Sequence, residues 1–144
     1  MQRPRAMMSM EVFMKILHGY VLPYKTMNLH CPPTVIMHKD GEPLLNKKLP
    51  EFISAVAAAD RNLKIDIYSH GLLLKPAFMD FLRAIPNRMR LLVSFHFYNH
   101  DGSANDYTGT TALLKDVLRN SPLQNVEIIL ASHLIRPMTK ERLD

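Results

Sequence analysis

The sequence predicts an α/β fold in which four parallel strands alternate with four helices packed outside the sheet. Short apolar runs typical of strands alternate with amphipathic stretches of about eleven residues, and this order favours right-handed βαβ units. The chain has 144 residues, of which 47% are hydrophobic, so it can bury one hydrophobic core. We therefore expect residues 1–144 to form a single domain.

The amino-terminal part of the chain carries the first two helices and the first strand. A helix is predicted over Met10–Tyr20, because its apolar residues recur at helical spacing and Ser9 precedes it in the N-cap position. The stretch 23–33 contains three prolines without a clear period, which indicates a connector. A strand is predicted over Thr34–His38, and the next amphipathic pattern predicts a helix over Leu49–Ala59.

The rest of the chain continues the alternation without a break. Strands are predicted over Leu63–Tyr68, Arg90–Tyr98 and Val126–Ser132. Helices are predicted over Leu74–Ala84, with a proline near its first turn, and over Thr110–Asn120. A closed eight-stranded barrel needs about 200 residues or more, so the chain cannot be a complete barrel of that kind.

Charge and cysteine content limit the classes of protein to consider. The net charge is +5, but the basic residues are scattered, which indicates a solvated surface and no specific nucleic-acid partner. The single cysteine, Cys31, excludes an intramolecular disulfide framework and fits the reducing cytoplasm. No apolar run approaches the length of about 18 residues that spans a membrane, so we expect a cytoplasmic protein without a membrane partner.

The first predicted strand is followed by the tetrapeptide Asp40-Gly41-Glu42-Pro43, which we interpret as a tight turn. Glycine can adopt backbone angles that other residues avoid, and it lets a ligand approach the main chain closely. Proline stiffens the chain after it. A carboxylate held between them at the carboxyl end of a strand suits the cationic amine of a ligand; the alternative is a solvated turn between a strand and a helix.

Three segments resemble the middle of the radical S-adenosylmethionine (radical SAM) enzyme superfamily: DGEPLLN, LPEFISAV and KIDIYSHGLLL. The resemblance rests on these short motifs and covers about residues 8–135. In that family a GGEP-like motif ends the second barrel strand and holds the amine of S-adenosylmethionine. The resemblance therefore implies that Asp40, Gly41, Glu42 and Pro43 bind this cofactor, with Asp40 standing where the family has its first glycine.

The resemblance also implies roles for polar residues at the ends of two later strands. The sequence Tyr68-Ser69-His70-Gly71 is similar to a family strand end that lies near the bound cofactor; alternatively, it is a simple strand-to-loop turn. Ser94, His96 and Tyr98 share one face of their predicted strand by period-two alternation. In the family, polar groups at this strand end reach the ribose and carboxylate. The candidate cofactor-binding residues here are Ser69, His70, Ser94 and His96.

The iron-sulfur signature of the family, three cysteines spaced C-x3-C-x2-C, is absent from this chain, whose only cysteine is Cys31. A [4Fe-4S] cluster belongs to the full-length family, and we do not expect one to assemble on this chain alone. The resemblance aligns the chain with the second to fifth strands of a partial TIM-like barrel. We therefore expect a barrel segment that arose as a truncated reading frame, a deliberately cut piece or a degenerate descendant.

Two kinds of function remain open from the sequence. The chain is a fragment of a radical SAM enzyme that binds S-adenosylmethionine and an unknown substrate, inactive alone without the cluster, or it is a non-catalytic α/β binding or interaction domain derived from that fold. The polar loop 100–108 is placed for substrate selection or is a plain connection. Unpaired edges of the predicted sheet favour self-association.

Histidines at the ends of the predicted strands raise the question of a metal site. They are His38, His70, His96 and His133. A zinc or iron site needs three or four ligands at short, defined distances, and no pair here has a spacing such as H-x3-H. Hydrogen-bonded histidines are the favoured interpretation. The neighbours His30 and Cys31 would point apart in an extended chain, which favours an incidental thiol over a nucleophile pair.

Overall fold

A computed structural model describes residues 8–27, 33–37, 41–99 and 103–133 of the chain. Its centre is a four-stranded sheet in which every neighbouring pair is parallel and the spatial order equals the chain order, β1-β2-β3-β4. In chain order, the strands are β1 Thr34–Ile36, β2 Lys64–Ser69, β3 Met89–His96 and β4 Val126–His133. The α/β class and the four parallel strands predicted from the sequence are confirmed.

The first helix differs from its prediction. The α-helix α1 covers Met10–Ile16 only, and the chain then continues as a π-helix over Leu17–Val21 and a 3-10 helix over Leu22–Met27. Ser9 is the N-cap as predicted, since its Oγ accepts a hydrogen bond from the Val12 backbone nitrogen at 3.3 Å. The prediction of one α-helix to Tyr20 was therefore wrong. Residues 23–27 of the predicted connector form part of the 3-10 helix, and residues 28–32 lie outside the described part of the chain. Apolar spacing does not distinguish α from π or 3-10 turns.

The other three helices follow the strands in regular alternation. Helix α2 spans Leu49–Ala59, α3 spans Pro76–Ala84 and α4 spans Thr108–Asn120. The bounds of α2 are those predicted. Helix α3 begins two residues later than predicted because Pro76 occupies its first position, where a missing N–H costs nothing. Helix α4 begins two residues earlier, where the Asp106 carboxylate accepts a hydrogen bond from the Thr108 nitrogen at 2.8 Å.

The strand predictions need corrections at their ends. Strand β1 ends at Ile36, although the Met37 nitrogen still donates to the Asp66 oxygen at 2.9 Å; His38 lies outside the described residues. Strand β3 ends at His96, so Tyr98 is not part of it and instead forms an isolated antiparallel bridge with Ala104. The polar loop folds back on the strand end there, because its Asn105 nitrogen donates to the Phe97 oxygen.

The hydrophobic core lies on one face of the sheet. Alternate residues of the central strands, such as Ile67 and Leu91, are buried and belong to one cluster with apolar residues from all four α-helices. Consecutive right-handed crossovers place their helices on the same face, which accounts for the one-sided core. No helix among the described residues is long and apolar enough to cross a membrane.

Candidate functional site

The centre of the candidate site is Glu42, which follows β1 and caps the 3-10 helix Pro43–Leu45. Its carboxylate joins the loop after β1 to the end of β2. Oε1 accepts hydrogen bonds from the Leu44 nitrogen at 3.0 Å and from Ser69 Oγ at 2.8 Å. Oε2 accepts one from the His70 nitrogen at 2.9 Å. The Glu42 side chain is only 4% exposed, so this turn is not an ordinary solvated one.

The imidazole of His70 supplies the fourth contact of this carboxylate. His70 Nε2 lies 3.1 Å from Glu42 Oε2, and the contact is an ion pair whenever the ring is protonated. The His70 side chain is 36% exposed, in contrast to the carboxylate beneath it. Its Nδ1 is buried and has no hydrogen-bond partner among the described residues. The ring therefore covers the carboxylate through a single hydrogen bond.

Backbone conformation holds this turn in place. Gly41 and Gly71 both have positive φ angles, 98° and 85°, which glycine adopts readily and other residues do not. The Gly71 nitrogen donates to Ser69 Oγ at 2.9 Å, and the Gly71 oxygen accepts from Thr110 Oγ1 at 2.9 Å. Thr110 lies in the first turn of α4. The end of β2 is therefore held by its own turn, through Ser69, and by α4, through Thr110.

Ser94 and His96 form a second group at the end of β3. Ser94 Oγ lies 3.2 Å from His96 Nε2, which fits the prediction that the two side chains share a face. Ser69 is in register with Val93 on the buried face of the sheet, so Ser94 and His96 lie on the opposite face. The structure thus brings Glu42, Ser69 and His70 into direct contact and places the other two candidates across the sheet.

Tyr107 was not identified from the sequence, although it anchors the end of β3. Its hydroxyl accepts a hydrogen bond from the His96 nitrogen at 3.0 Å, and its ring contacts Phe95 and Phe97 edge-on. The tyrosine is buried. The polar loop that carries it was interpreted as a substrate-selecting loop or a plain connection, and only its aromatic residue could have indicated an anchor.

A charged cluster on the face opposite the core was also missed. The Asp66 carboxylate accepts hydrogen bonds from the Arg90 guanidinium and, at 3.1 Å, from the Tyr68 hydroxyl. The hydrogen bond with Asp66 and its negative charge raise the pKa of Arg90 above its ordinary value. The alternation Lys64, Asp66, Tyr68 along β2 was the sequence signal for a polar face here.

Two grooves accompany these groups. An apolar groove of about 640 Å³ lies beside the loop after β1 and includes Leu44, Leu73, Phe78 and Phe81 in its lining. A polar groove of about 580 Å³ lies where the strands begin, and its lining includes Asp66 and its partner arginine. Glu42 and His70 line neither of these two grooves.

A metal centre needs several ligand side chains close together. Within the described ranges, no three His, Cys, Asp or Glu side chains are grouped so that they could hold a metal ion. Four residues named in the sequence analysis, His30, Cys31, His38 and Asp40, lie outside those ranges, as do 100–102 of the polar loop. The [4Fe-4S] cluster of the family needs three cysteine thiolates and the chain has one cysteine, so its residues do not fit that group.

Comparisons with protein-family models, with curated proteins and with solved structures give no match to this chain.

Proposed function

We propose that this chain is the cofactor-binding part of a radical SAM-like (β/α) barrel, and that it binds the ammonium group of an amino-acid-bearing ligand such as S-adenosylmethionine at Glu42. The observation that carries the proposal is a buried carboxylate at the carboxyl end of parallel strands, the end at which α/β folds bind their ligands. Of the groups that contact this carboxylate, the imidazole of His70 is a partly exposed side chain that a ligand could displace.

The route to the carboxylate follows from its four contacts. Two donors are backbone nitrogens and one is the buried Ser69 hydroxyl, and all three are fixed by the fold. The His70 ring is the fourth, and rotation about its side-chain torsions leaves Oε2 with the His70 backbone nitrogen as its one donor. An ammonium group that takes this position gains a charge-assisted hydrogen bond worth about 1.5–3 kcal/mol. His70 therefore acts as a cover that the ligand displaces.

The role proposed for this chain includes no radical step. The three thiolates that would hold an iron-sulfur cluster are not supplied by its single cysteine. The proposal is limited to ligand binding, in which the residues of this chain position the amine and exclude water from Glu42. Ser94 and His96 lie on the other face of the sheet, so they are assigned to the ribose or carboxylate of the ligand only through the resemblance.

A second candidate is a non-catalytic scaffold, and one observation favours it. A carboxylate has about four lone-pair positions, and four donors of the protein occupy those of Glu42. In this alternative the carboxylate ties β1 to β2 and has no ligand. Both candidates use the same contacts, and they differ in whether an amine displaces His70.

The test is a titration of S-adenosylmethionine followed by NMR at the backbone amides of Leu44 and His70. We expect weak binding, with a dissociation constant near about 1 mM, because one amine contact supplies little affinity. 5′-Methylthioadenosine keeps the nucleoside and the sulfur atom but lacks the sulfonium charge and the amino-acid part with its amine, and it should not shift these two amides. Glu42→Gln removes the charged acceptor, so the two amides should no longer shift at millimolar S-adenosylmethionine.

Two further variants separate ligand binding from damage to the fold. Glu51→Gln makes the same change at an exposed carboxylate of α2 and should leave the affinity unchanged. His70→Ala removes the cover, keeps the backbone donor and should not weaken binding. Equal responses to the two ligands, or unshifted amides of Leu44 and His70 in the wild type, would show that Glu42 serves the scaffold alone.

A further inference from the structure

The face of the sheet opposite the core carries no helix from the described part of the chain. The register places the following residues on it: Thr34 and Ile36 of β1, Lys64, Asp66 and Tyr68 of β2, Arg90, Leu92, Ser94 and His96 of β3, and Glu127, Ile129 and Ala131 of β4. We call this surface the helix-free face.

The helix-free face carries a row of large side chains between its charged residues. Tyr68, Leu92 and Ile129 stand side by side in one register row across three strands, and Ile36 is 52% exposed on the first strand. The three residues of the row are partly exposed, and all-parallel sheets are normally covered on both faces.

The charges of this face also suit burial. They are two cations, Lys64 and Arg90, and two anions, Asp66 and Glu127, so the face is electrically neutral although the chain carries a net charge of +5. The side chain of Asp66, which pairs with Arg90, is already only 6% exposed. Arg90 Nε is buried without a partner among the described residues. A covering group would therefore meet a face without net charge.

The two edges of the sheet are open as well. Within the described residues, β1 pairs only with β2, and β4 pairs only with β3. Each edge strand therefore presents backbone N–H and C=O groups that lack a partner strand. Parallel pairing with another strand would satisfy them.

We propose that two copies of this chain close an eight-stranded (β/α) barrel, with β4 of each copy pairing in parallel with β1 of the other. Four consecutive parallel strands with all helices on one face form half of such a barrel. A twofold axis along the barrel makes both junctions identical, so the assembly closes at two copies. Eight strands enclose an interior that side chains fill, and the helix-free faces supply them.

A flat extension of the sheet is the other way to satisfy the edges. It would leave Ile36, Leu92 and Ile129 without a cover on both copies. Closure into a barrel pairs the edge strands and covers the helix-free face at the same time, whereas a flat sheet only pairs the edge strands. The inference does not rest on the proposed function, and each copy would keep its own Glu42 site at the shared rim.

The test is the mass of the protein in solution, measured by sedimentation velocity up to about 100 μM. We expect a species of twice the 16.5 kDa chain mass and nothing larger. Ile36→Glu places a charge in the closed interior and should give a monomer with an unchanged circular dichroism spectrum. Leu45→Glu is the matched control, because Leu45 is 59% exposed at the Glu42 loop, away from the helix-free face, and it should remain a dimer.

Amide hydrogen exchange provides a measurement that needs no variant. The outward N–H groups of β4, Val126–His133, should exchange more slowly as the protein concentration rises through the dissociation constant, while those of α2 should not change. A monomer at every concentration would overturn the proposal, as would open polymers larger than a dimer. A dimer that persists in Ile36→Glu would show that the helix-free face is not the interface.

Discussion

At the scale of single residues, Gly71 is the position where the strand end tolerates least change. Its φ angle is 85°, and a Cβ atom there would lie 2.6 Å from Val93 Cγ1. Gly71→Ala adds backbone strain to a clash within the core, and we expect it to lower the free energy of unfolding by about 2–4 kcal/mol. Urea denaturation of the wild type and the variant measures this loss.

Gly41→Ala is the matched comparison for that prediction. Gly41 has a φ angle of 98°, but nothing lies within 4 Å of the position of an added Cβ. Only the backbone strain remains, so the loss should be about 1–2 kcal/mol. If both variants lost the same free energy, the packing of Gly71 against β3 and α4 would not limit the strand end.

Glu42 illustrates what the sequence predicts about a residue and what it does not. The glycine before it and the proline after it indicated a fixed carboxylate at a strand end, and the structure holds that carboxylate in place. Its burial was not predictable, because three of its four contacts come from Ser69 and His70, on a strand that follows much later in the chain. Local patterns carry no information on such contacts.

At the scale of secondary-structure elements, the start of α4 depends on Asp106. Its carboxylate accepts hydrogen bonds from the side chain and backbone of Thr108, and these contacts lower its pKa from the ordinary value of 3.8. A carboxyl group whose pKa is depressed in the folded state stabilises that state above its unfolded pKa. This stabilisation is lost as the pH falls through the lower, folded pKa.

We therefore expect Asp106→Ala to lower the Tm at pH 7, because the first turn of α4 loses an acceptor for its free N–H group. The difference from the wild type should shrink once the pH falls below about 3.8, where the carboxyl group begins to protonate. Thermal unfolding between pH 7 and pH 2 measures both quantities. A Tm difference independent of pH would mean that the charge of Asp106 does not contribute.

The elements also differ in how well their patterns define them. Helix α2 has an apolar stripe and clear ends, and its bounds of Leu49–Ala59 were predicted correctly. Helix α1 has an equally regular stripe, but the chain leaves α geometry at Leu17, because π and 3-10 turns keep similar apolar spacing over a few residues. Strand β3 ends at His96, where contacts with Tyr107 replace the strand pairing that alternation alone suggested.

At the scale of the whole molecule, the decisive feature is that the two faces of the sheet have different environments. Leu91 and Leu92 are neighbours on β3, and only Leu91 is fully buried among the helices. Leu92 lies on the helix-free face and is partly exposed. Alternation predicted these two faces, but the sequence patterns did not indicate what covers the second one.

The final prediction compares alanine substitutions at these two leucines by urea denaturation at two protein concentrations. Leu91→Ala creates a cavity in the core and should cost about 2–5 kcal/mol at both concentrations. Leu92→Ala should cost about 1 kcal/mol in the dilute protein and more in the concentrated one, because association through the helix-free face stabilises the folded state by mass action. If Leu92→Ala costs as much as Leu91→Ala when the protein is dilute, a single chain already buries that face and the closed two-copy barrel is excluded.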